Sequence, residues 1–413
     1  MAPLRRVNVS SGRTLEATAH YSRAVRVGDT VLQAGTTAIA RDGGVRSVGD
    51  VAGQVETILA IAEWSMGKAG GRLEDVVRSR IYVTDIALGD AAARTLATRF
   101  RDTRPASTLV GVTGLARPEQ LIEIEFDAVD GALGSAQRIR SGGPLEDVYA
   151  YSRAVRVGDR VYIAGSTALN AQGGVDGPGD MYRQTRRTLD TIFRALADAG
   201  GTPSDIVYTK SFFTDLSHQA DYTRAWLEAF GDVRPTSTVL GIPALVRPEL
   251  LIEIEAEAII GAGKIRRDVF TQQQREKPRG YARLVEVGDR IYMSGCTDLD
   301  AAGALQSPND WAAQYDHSMD TVSWSLAQVG ATLDDVVRRQ TFTVDGATMN
   351  RAHGAGPSYF ATSRPASLGC RIKGLARPEL LVEIEISAIK GAGKNIESIG
   401  PDATDPVDDL PRK

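Results

Sequence analysis

The chain has 413 residues, of which 42% are apolar, and this length allows two to four domains with ordinary hydrophobic cores. Its 48 basic and 52 acidic residues give a formal net charge of −4 and are interleaved, which excludes the basic stripe typical of nucleic-acid-binding proteins. No apolar stretch approaches the roughly 18 residues that a membrane span needs, and no apolar run follows the first residues, so we expect a cytoplasmic protein. Two cysteines and four scattered histidines exclude a disulfide framework and a structural zinc site.

One segment of the sequence occurs three times at a spacing of 130 residues. Tyr21-Ser-Arg-Ala-Val-Arg-Val-Gly-Asp29 returns unchanged at 151–159 and in a looser form at 281–289. Arg-Pro pairs and Arg-Pro-Glu motifs recur at the same spacing. A period this long is a whole domain and not a solenoid unit. We therefore predict three similar domains, at residues 1–137, 138–267 and 268–396, followed by a mobile tail at 397–413.

The first repeat shows a regular alternation of strand and helix patterns. Two short apolar runs flank Gly28-Asp29 and indicate a hairpin, and apolar residues at helical spacing follow. In chain order the patterns predict strands at 23–27 and 31–35, a helix at 50–70, a strand at 76–83, a helix at 90–100, and strands at 107–112 and 121–128.

The last predicted strand has one apolar and one acidic face, because side chains alternate along a strand. Ile122, Ile124, Phe126 and Ala128 share the apolar face, and Glu123, Glu125 and Asp127 share the other. The apolar face requires the two helices, and the acidic face requires polar partners or another domain. Three equivalent domains in one chain favour a pseudo-threefold ring with ligand pockets between neighbours.

Several motifs of each repeat also occur together in a known family. They are the tyrosine-led strand, the Gly-Asp hairpin, Ala34-Gly35-Thr36, the helix with Gln54, Val83-Thr84-Asp85, the Pro-Ala-Ser after Arg104 and the closing Ile-Glu-Ile-Glu; Gln184, Gln314, Asp215 and Asp345 keep the pattern in the other repeats. Together they resemble the reactive intermediate deaminase (RidA/YjgF) family. The resemblance implies an α+β, chorismate-mutase-like fold, with a mixed sheet and two helices on one face in each domain. It also implies a trimer of such domains around an inner β-barrel, here written into one monomeric chain as a pseudotrimer.

The family's deaminases hydrolyse enamines and imines made from amino acids, so the resemblance implies a small-molecule substrate and no metal or organic cofactor. Their signature is an arginine directly after Pro-Ala in the fifth strand. Ser107, Ser237 and Ser367 occupy that position here, and a serine cannot clamp a carboxylate as a guanidinium does. Serine nucleophiles would need a nearby base, and no histidine or lysine recurs at a fixed offset.

Other residues at or near the family's site positions are candidates for binding the substrate carboxylate and for catalysis. Tyr21, Tyr151 and Tyr281 match the site tyrosine, and Arg23, Arg153 and Arg283 follow two residues later, about 6.6 Å along the same strand face. Arg104, Arg234 and Arg364 form a second candidate clamp. Glu123, Glu253 and Glu383 match a glutamate that positions water and are the candidate general acids or bases. Two alternatives remain. Glu123 and Glu125 could instead form structural ion pairs with Arg23 or Arg117 across the ring interface, and the tyrosines could be ordinary half-buried strand aromatics.

The leading hypothesis is a pseudotrimeric protein that hydrolyses small imine-type, enamine-type or related carboxylate intermediates in clefts between domains. One alternative is a biosynthetic enzyme on the same fold, performing an elimination, a cyclisation or chorismatase-like hydrolysis. Another is a non-catalytic ligand-binding or scaffold protein. Glu286, Val344 and Leu368 replace Arg26, Thr84 and Thr108 of the first repeat, which predicts unequal sites with the third most altered.

Overall fold

The computed structural model describes residues 4–272, 275–344 and 359–402. The first repeat contains β1 (Arg6–Val9), α1 (Thr14–Thr18), β2 (Ala24–Val27), β3 (Thr30–Thr36), α2 (Val51–Lys68), β4 (Val76–Val83), α3 (Gly89–Phe100), β5 (Ala106–Gly111), β6 (Ile122–Val129) and α4 (Ala132–Ser135). All seven predicted elements are confirmed with bounds within two residues of the prediction. The short β1 and α1 were not predicted, since four or five residues are too few for a periodic pattern.

The second and third repeats follow the same order. The second contains β7 (Gln137–Ile139), α5 (Pro144–Val148), β8 (Ala154–Val157), β9 (Arg160–Thr167), α6 (Met181–Asp198), β10 (Ile206–Phe213), α7 (Gln219–Phe230), β11 (Thr236–Gly241), β12 (Ile252–Ile259) and α8 (Ala262–Ile265). The third contains β13 (Arg267–Val269), β14 (Leu284–Val287), β15 (Arg290–Met293), α9 (Trp311–Gln328), β16 (Val336–Thr343), β17 (Ala366–Arg371), β18 (Gly374–Leu375), β19 (Val382–Ile389) and β20 (Ile396–Ile399). Asp345 and the position of this repeat's second helix lie outside the described residues.

The long helix of each repeat begins at the same kind of cap. The carboxylate of Asp50 accepts a hydrogen bond from the Gly53 amide, and Asp180 and Asp310 do the same for α6 and α9. Such caps satisfy an amide that the helix itself leaves unpaired. The helix α2 ends just before Gly70, whose φ of +75° suits glycine.

Three mixed sheets, each built mainly from one repeat, carry helices on their apolar faces, and the third repeat adds β20 to the first sheet and β18 to the second. The strand orders are β20-β1-β2-β3-β6-β4-β5, β18-β11-β10-β12-β9-β8-β7 and β13-β14-β15-β19-β16-β17. In the first repeat, Ile58 of α2 and Phe100 of α3 share a core with Ile124 and Phe126 of β6, as the alternation predicts. None of the helices within the described residues combines the length and hydropathy needed to cross a bilayer.

The two ends of the described chain meet in the first sheet. β20 pairs in parallel with β1, from Arg6 opposite Ile396 to Val9 opposite Ile399. The mobile tail predicted from residue 397 therefore starts too early, because residues 397–399 belong to a strand; residues 403–413 lie outside the described residues.

Equivalent backbone bonds join every pair of repeats. Ser22 N donates to Pro365 O at 3.1 Å, Ser152 N to Pro105 O at 3.1 Å, and Ala282 N to Pro235 O at 3.3 Å. The recurring Arg-Pro motifs thus lie at the contacts between repeats. These contacts are the part of the predicted pseudo-threefold ring that the structure describes, and the closed inner barrel stays a prediction.

The acidic faces of the last strands meet basic residues of neighbouring repeats, as expected. The ion pairs between repeats include Arg78–Glu257 at 3.0 Å, Arg80–Glu255 at 2.6 Å, Lys210–Glu385 at 3.1 Å and Arg338–Asp127 at 2.6 Å. Burial alone would raise the pKa of Glu255, but Arg80 and Lys210 overcome this effect and lower it to about 2. The buried charges are therefore held in their ionised forms by partners across the interfaces.

Candidate active site

The predicted site residues come together at the contacts between repeats. Each cleft takes its tyrosine, arginine and glutamate from one repeat and its serine from a neighbouring repeat: the third repeat for cleft 1, the first for cleft 2 and the second for cleft 3. Cleft 1 contains Tyr21, Arg23, Glu123 and Ser367; cleft 2 contains Tyr151, Arg153, Glu253 and Ser107; cleft 3 is the equivalent set Tyr281, Arg283, Glu383 and Ser237. Clefts 1 and 2 are cavities of about 480 and 920 Å³.

The three glutamates share an unusual electrostatic environment. Burial and, to a smaller extent, Glu125 raise the pKa of Glu123 to about 8, against the opposing effect of Arg23. Burial also raises the pKa of Glu253 and of Glu383 to about 8. These carboxyls therefore change charge close to neutral pH, as a general acid or base requires.

Each of these carboxyls lies against a glycine that has no side chain to block it. A Cβ on Gly35 would lie 2.3 Å from Oε1 of Glu123, and at Gly165 the distance to Oε1 of Glu253 would be 2.0 Å. The third repeat has the same arrangement at Gly295. The glycine that follows Ala34 or its equivalent is thus required by close approach of the glutamate, since any side chain would displace it.

Arg23 is not available as the anion clamp that its spacing suggests. Its Nε and Nη2 donate to Glu16 at 3.2 and 3.0 Å, and Nη2 also donates to the Tyr21 hydroxyl at 2.8 Å. Its Nη1 donates to Gly35 O at 3.3 Å and to Thr36 Oγ1 at 3.5 Å. All five N–H donors are used, so Arg23 orients Tyr21 and does not bind a ligand carboxylate.

The acidic partner of this arginine was missed in the sequence. Arg283 pairs with Glu276 at 2.9 Å, and Arg153 lies 3.7 Å from Glu146. These acids and Glu16 recur at the spacing of 130 residues, and that recurrence could have identified them. Arg23 and Arg283 therefore form ion pairs within their own repeats, with acids other than Glu123 and Glu125.

The second candidate clamp has a structural role as well. Arg104 Nη1 donates to Glu146 O at 3.1 Å, and Arg364 Nη2 donates to Glu16 O at 2.9 Å. Arg234, the third member, has a buried Nε without a partner in the described part of the chain. None of the three is among the described residues that line clefts 1 and 2. Arg104 and Arg364 fasten the segment that carries the acidic partner of the next repeat.

The serines at the signature position have neutral partners. Ser79 Oγ donates to Ser107 Oγ at 3.1 Å, Ser367 Oγ donates to Pro365 O at 3.4 Å, and Ser237 N donates to Ser294 Oγ at 2.8 Å. Within the described residues no base contacts these hydroxyls, so nothing activates them as nucleophiles.

The clefts are unequal, but not in the predicted way. Thr108 Oγ1 accepts from the Gly165 amide at 3.1 Å in cleft 2, and Thr238 does the same in cleft 3. Their counterpart Leu368 belongs to the third repeat but lines cleft 1. The change from threonine to Leu368 therefore alters cleft 1 and not cleft 3, because the third repeat supplies β17 to cleft 1.

The helix beside cleft 3 carries aromatic side chains that the other repeats lack. Tyr222 and Trp226 of α7 occupy the positions of Ala92 and Leu96 on α3. The Tyr222 hydroxyl lies 3.1 Å from Ser211 Oγ, and Trp226 Nε1 donates to Gly280 O at 3.1 Å. Both rings are buried, and the Trp226 ring packs against Tyr222 and Phe230 with ring centres 5.4 and 4.5 Å apart.

Comparisons with known proteins identify the repeated domain. The family model described as Endoribonuclease L-PSP matches residues 11–130, 144–260 and 272–390. An uncharacterised protein of Streptomyces coelicolor is 34% identical over 131 residues, which are 31% of this chain and 95% of that protein. A RutC family protein of Pyrococcus abyssi is 31% identical over 108 residues, which are 26% of this chain and 84% of that protein.

Two solved structures are similar to this chain. A member of the YjgF/YER057c/UK114 family from Mycobacterium tuberculosis is 38% identical and covers 30% of this chain and 100% of its own, with a TM-score of 0.28. A chorismatase structure is 14% identical and covers 76% of this chain and 93% of its own, with a TM-score of 0.50, which shows a shared fold. The chain therefore belongs to the Endoribonuclease L-PSP family, the reactive intermediate deaminase (RidA/YjgF) family that its motifs predict, and carries three copies of the family domain.

Proposed function

We propose that the protein hydrolyses small, carboxylate-bearing imines or enamines to carbonyl compounds and ammonia, without a cofactor, in clefts 1 and 2. The observation that carries this proposal is the pair of buried carboxyls, Glu123 and Glu253, whose pKa values are raised to about 8 and which face open cavities. Within the described residues no side chain hydrogen-bonds Glu123, so its carboxyl is available to a ligand and a water molecule.

The chemistry requires one group that first gives and then takes a proton. At pH 7 a carboxyl with a pKa of about 8 is about nine-tenths protonated, so Glu123 donates its proton to the imine nitrogen. The resulting carboxylate removes a proton from water as the water oxygen bonds to the imine carbon. Glu123 then gives this proton to the nitrogen and the C–N bond breaks to release ammonia. The hydroxyl proton passes back to Glu123 as the C=O bond forms. Each turnover consumes one water and returns Glu123 to its starting form.

The tyrosine and arginine beside the glutamate support this step. Arg23 holds the Tyr21 hydroxyl at 2.8 Å, and its own charge is balanced by Glu16, which is fully buried. Tyr21 is thereby held in the cleft as a hydrogen-bonding group beside the reacting atoms. In this proposal Tyr21 and Arg23 are positioning residues, and Glu123 is the catalytic residue.

The test is release of ammonia and 2-oxo acid from imines generated in situ by an amino-acid oxidase. We expect acceleration over the uncatalysed rate, and we expect the Glu123→Gln/Glu253→Gln double variant to lose it by about 10²–10⁴-fold. Glu119→Gln, at an exposed position, is the matched control and should keep the native rate. A native protein that gives no acceleration, or a double variant with full activity, would overturn the proposal.

A second candidate, hydrolysis of a chorismate-like carboxylate, is supported by the chorismatase fold shared over 76% of the chain. Release of pyruvate from chorismate by the native protein, with no ammonia release from imines, would favour this candidate. Absence of both reactions alongside ligand binding would favour a binding protein.

A further inference from the structure

Cleft 1 contains a guanidinium that has no counterpart in the other clefts. Arg339 of β16 lies directly opposite Ser367 of β17 in the parallel register and lines cleft 1 with Tyr21 and Glu123. The equivalent residues are Ser79 in cleft 2 and Thr209 in cleft 3. The arginine missing from the serine position is thus present one strand away, in one cleft.

We propose that cleft 1 binds the carboxylate of its ligand through Arg339, so that each chain binds one small organic acid strongly and clefts 2 and 3 do not. This inference rests on the proposed function for the choice of ligand, and it adds a binding residue and a stoichiometry of one.

The guanidinium of Arg339 is held in place but not saturated. Its Nη2 donates to Ala19 O of the first repeat at 3.2 Å, and its Cζ lies 5.1 Å from the ring centre of Phe360. Nη1 has no hydrogen-bond partner among the described residues. Arg23, by contrast, uses every donor within the protein. Unlike Arg23, Arg339 therefore has donors left for an anion, and it lies opposite the serine at the signature position.

The charge of the two cavities differs in the same direction. Among the described residues, five arginines and two acids line cleft 1, whereas five arginines and four acids line cleft 2. Each set includes one glutamate with a pKa of about 8, Glu123 or Glu253, which is largely neutral at pH 7, so the difference of two acids remains. Cleft 1 therefore attracts an anion more strongly than cleft 2 does.

The remaining walls of cleft 1 indicate the body of the ligand. Trp311 and Tyr315 of α9 stack with ring centres 5.2 Å apart and line the cavity with Ile61 and Leu368. A cavity of about 480 Å³ with apolar walls is at the small end of the range for ligand sites. The ligand class is therefore a small carboxylic acid with a short apolar side chain.

The first test is calorimetric titration of the full chain with 2-oxobutanoate, using its methyl ester as the uncharged control. We expect one equivalent of the acid to bind and the ester to bind at least tenfold more weakly. Arg339→Ser should weaken binding of the acid at least tenfold, and Arg339→Lys should give an intermediate loss because the bidentate fork is gone. Two or three equal sites, no binding of the acid, or unchanged affinity in Arg339→Ser would overturn the proposal.

The reciprocal variant separates binding from structural support, since Arg339 also joins two repeats. Ser79→Arg places a guanidinium at the matching position of cleft 2 and should add a second equivalent of 2-oxobutanoate while leaving Arg339 intact. An unchanged stoichiometry of one in a folded Ser79→Arg protein would overturn the proposal. If Arg339→Ser does not fold, the stoichiometry of Ser79→Arg is the test of the proposal.

Activity distinguishes this inference from the proposed function. With a carboxylate imine, Arg339→Ser should raise KM at least tenfold for cleft 1, measured in a Glu253→Gln background. Binding of one acid without any ammonia release would sustain the inference and refute the proposed function. Turnover with an unchanged KM in Arg339→Ser would refute the inference and sustain the function.

Discussion

Replacing Glu123 with glutamine tests the electrostatic basis of the site through stability alone. In the folded protein its pKa is about 8, against 4.5 for an unperturbed glutamate. Between these values the folded state binds more protons at Glu123 than the unfolded state does. The contribution of Glu123 to the free energy of unfolding is therefore greatest below pH 4.5 and is lost as the pH rises towards and through 8. Glutamine has the same shape and no charge, so Glu123→Gln removes this loss.

The size of the effect follows from the pKa difference. A gap of about 3.5 pKa units corresponds to about 5 kcal/mol at 1.36 kcal/mol per unit, as an upper bound. At about 2.1 cal/mol/K per residue, the unfolding entropy of this chain is about 0.9 kcal/mol/K, so the bound corresponds to about 5 °C in the unfolding temperature.

The assay is calorimetric unfolding of the native protein and of Glu123→Gln at pH 5, 7 and 9. We expect nearly equal unfolding temperatures at pH 5 and a variant that unfolds up to about 5 °C higher than the native protein at pH 9. The exposed Glu119→Gln should follow the native protein at every pH. A difference between Glu123→Gln and native that stays constant from pH 5 to 9 would refute the raised pKa and the acid–base role that depends on it.

Three further variants test other features of the structure. Gly35→Ala displaces the Glu123 carboxyl and should lower ammonia release at least tenfold in the Glu253→Gln background. The control is Gly67→Ala, whose Cβ would meet open space and which should keep the rate. Equal rates for the two variants would contradict the close approach of Gly35 and Glu123. Arg23→Ala leaves a buried acid unpaired and should cost roughly 3–5 kcal/mol in urea unfolding, whereas the exposed Arg94→Ala should leave the midpoint unchanged; similar midpoints for both would refute the pairing. Trp226→Leu should cost about 1–3 kcal/mol and widen cleft 3, which a crystal structure would show as a new cavity.

The sequence was sufficient for the fold because its signals are local and occur three times. The alternation in β6 separates Phe126, in the core with the helices, from Asp127, which pairs with Arg78 at 2.5 Å. The glutamates of the site were identified by resemblance. The sequence could not show that the pKa of Glu123 is raised to about 8 while that of Glu255, on an equivalent strand, is lowered to about 2. The first shift comes mainly from burial, and the second depends on Arg80, which another repeat brings near.

The errors at the site have two physical causes. Spacing along a strand places Arg23 beside Tyr21, but it cannot show that Glu16, seven residues before Arg23, turns back to take its donors. Arg339 was missed for the opposite reason, because comparing residues at a fixed offset selects what the repeats share and discards what one repeat has alone. In a chain of diverged copies, the residue that distinguishes a cleft is absent from the consensus.

The pairing of β1 with β20 determines the order in which the clefts can form while the protein is being synthesised. Their partners are about 390 residues apart, so at 5–20 residues per second a ribosome needs roughly 20–80 s between the two strands. Cleft 2 uses the first two repeats and can assemble while the third is still being made. Cleft 1, with Arg339, requires the last repeat to return to the first. A nascent chain interrupted in its third repeat would therefore carry cleft 2 without cleft 1.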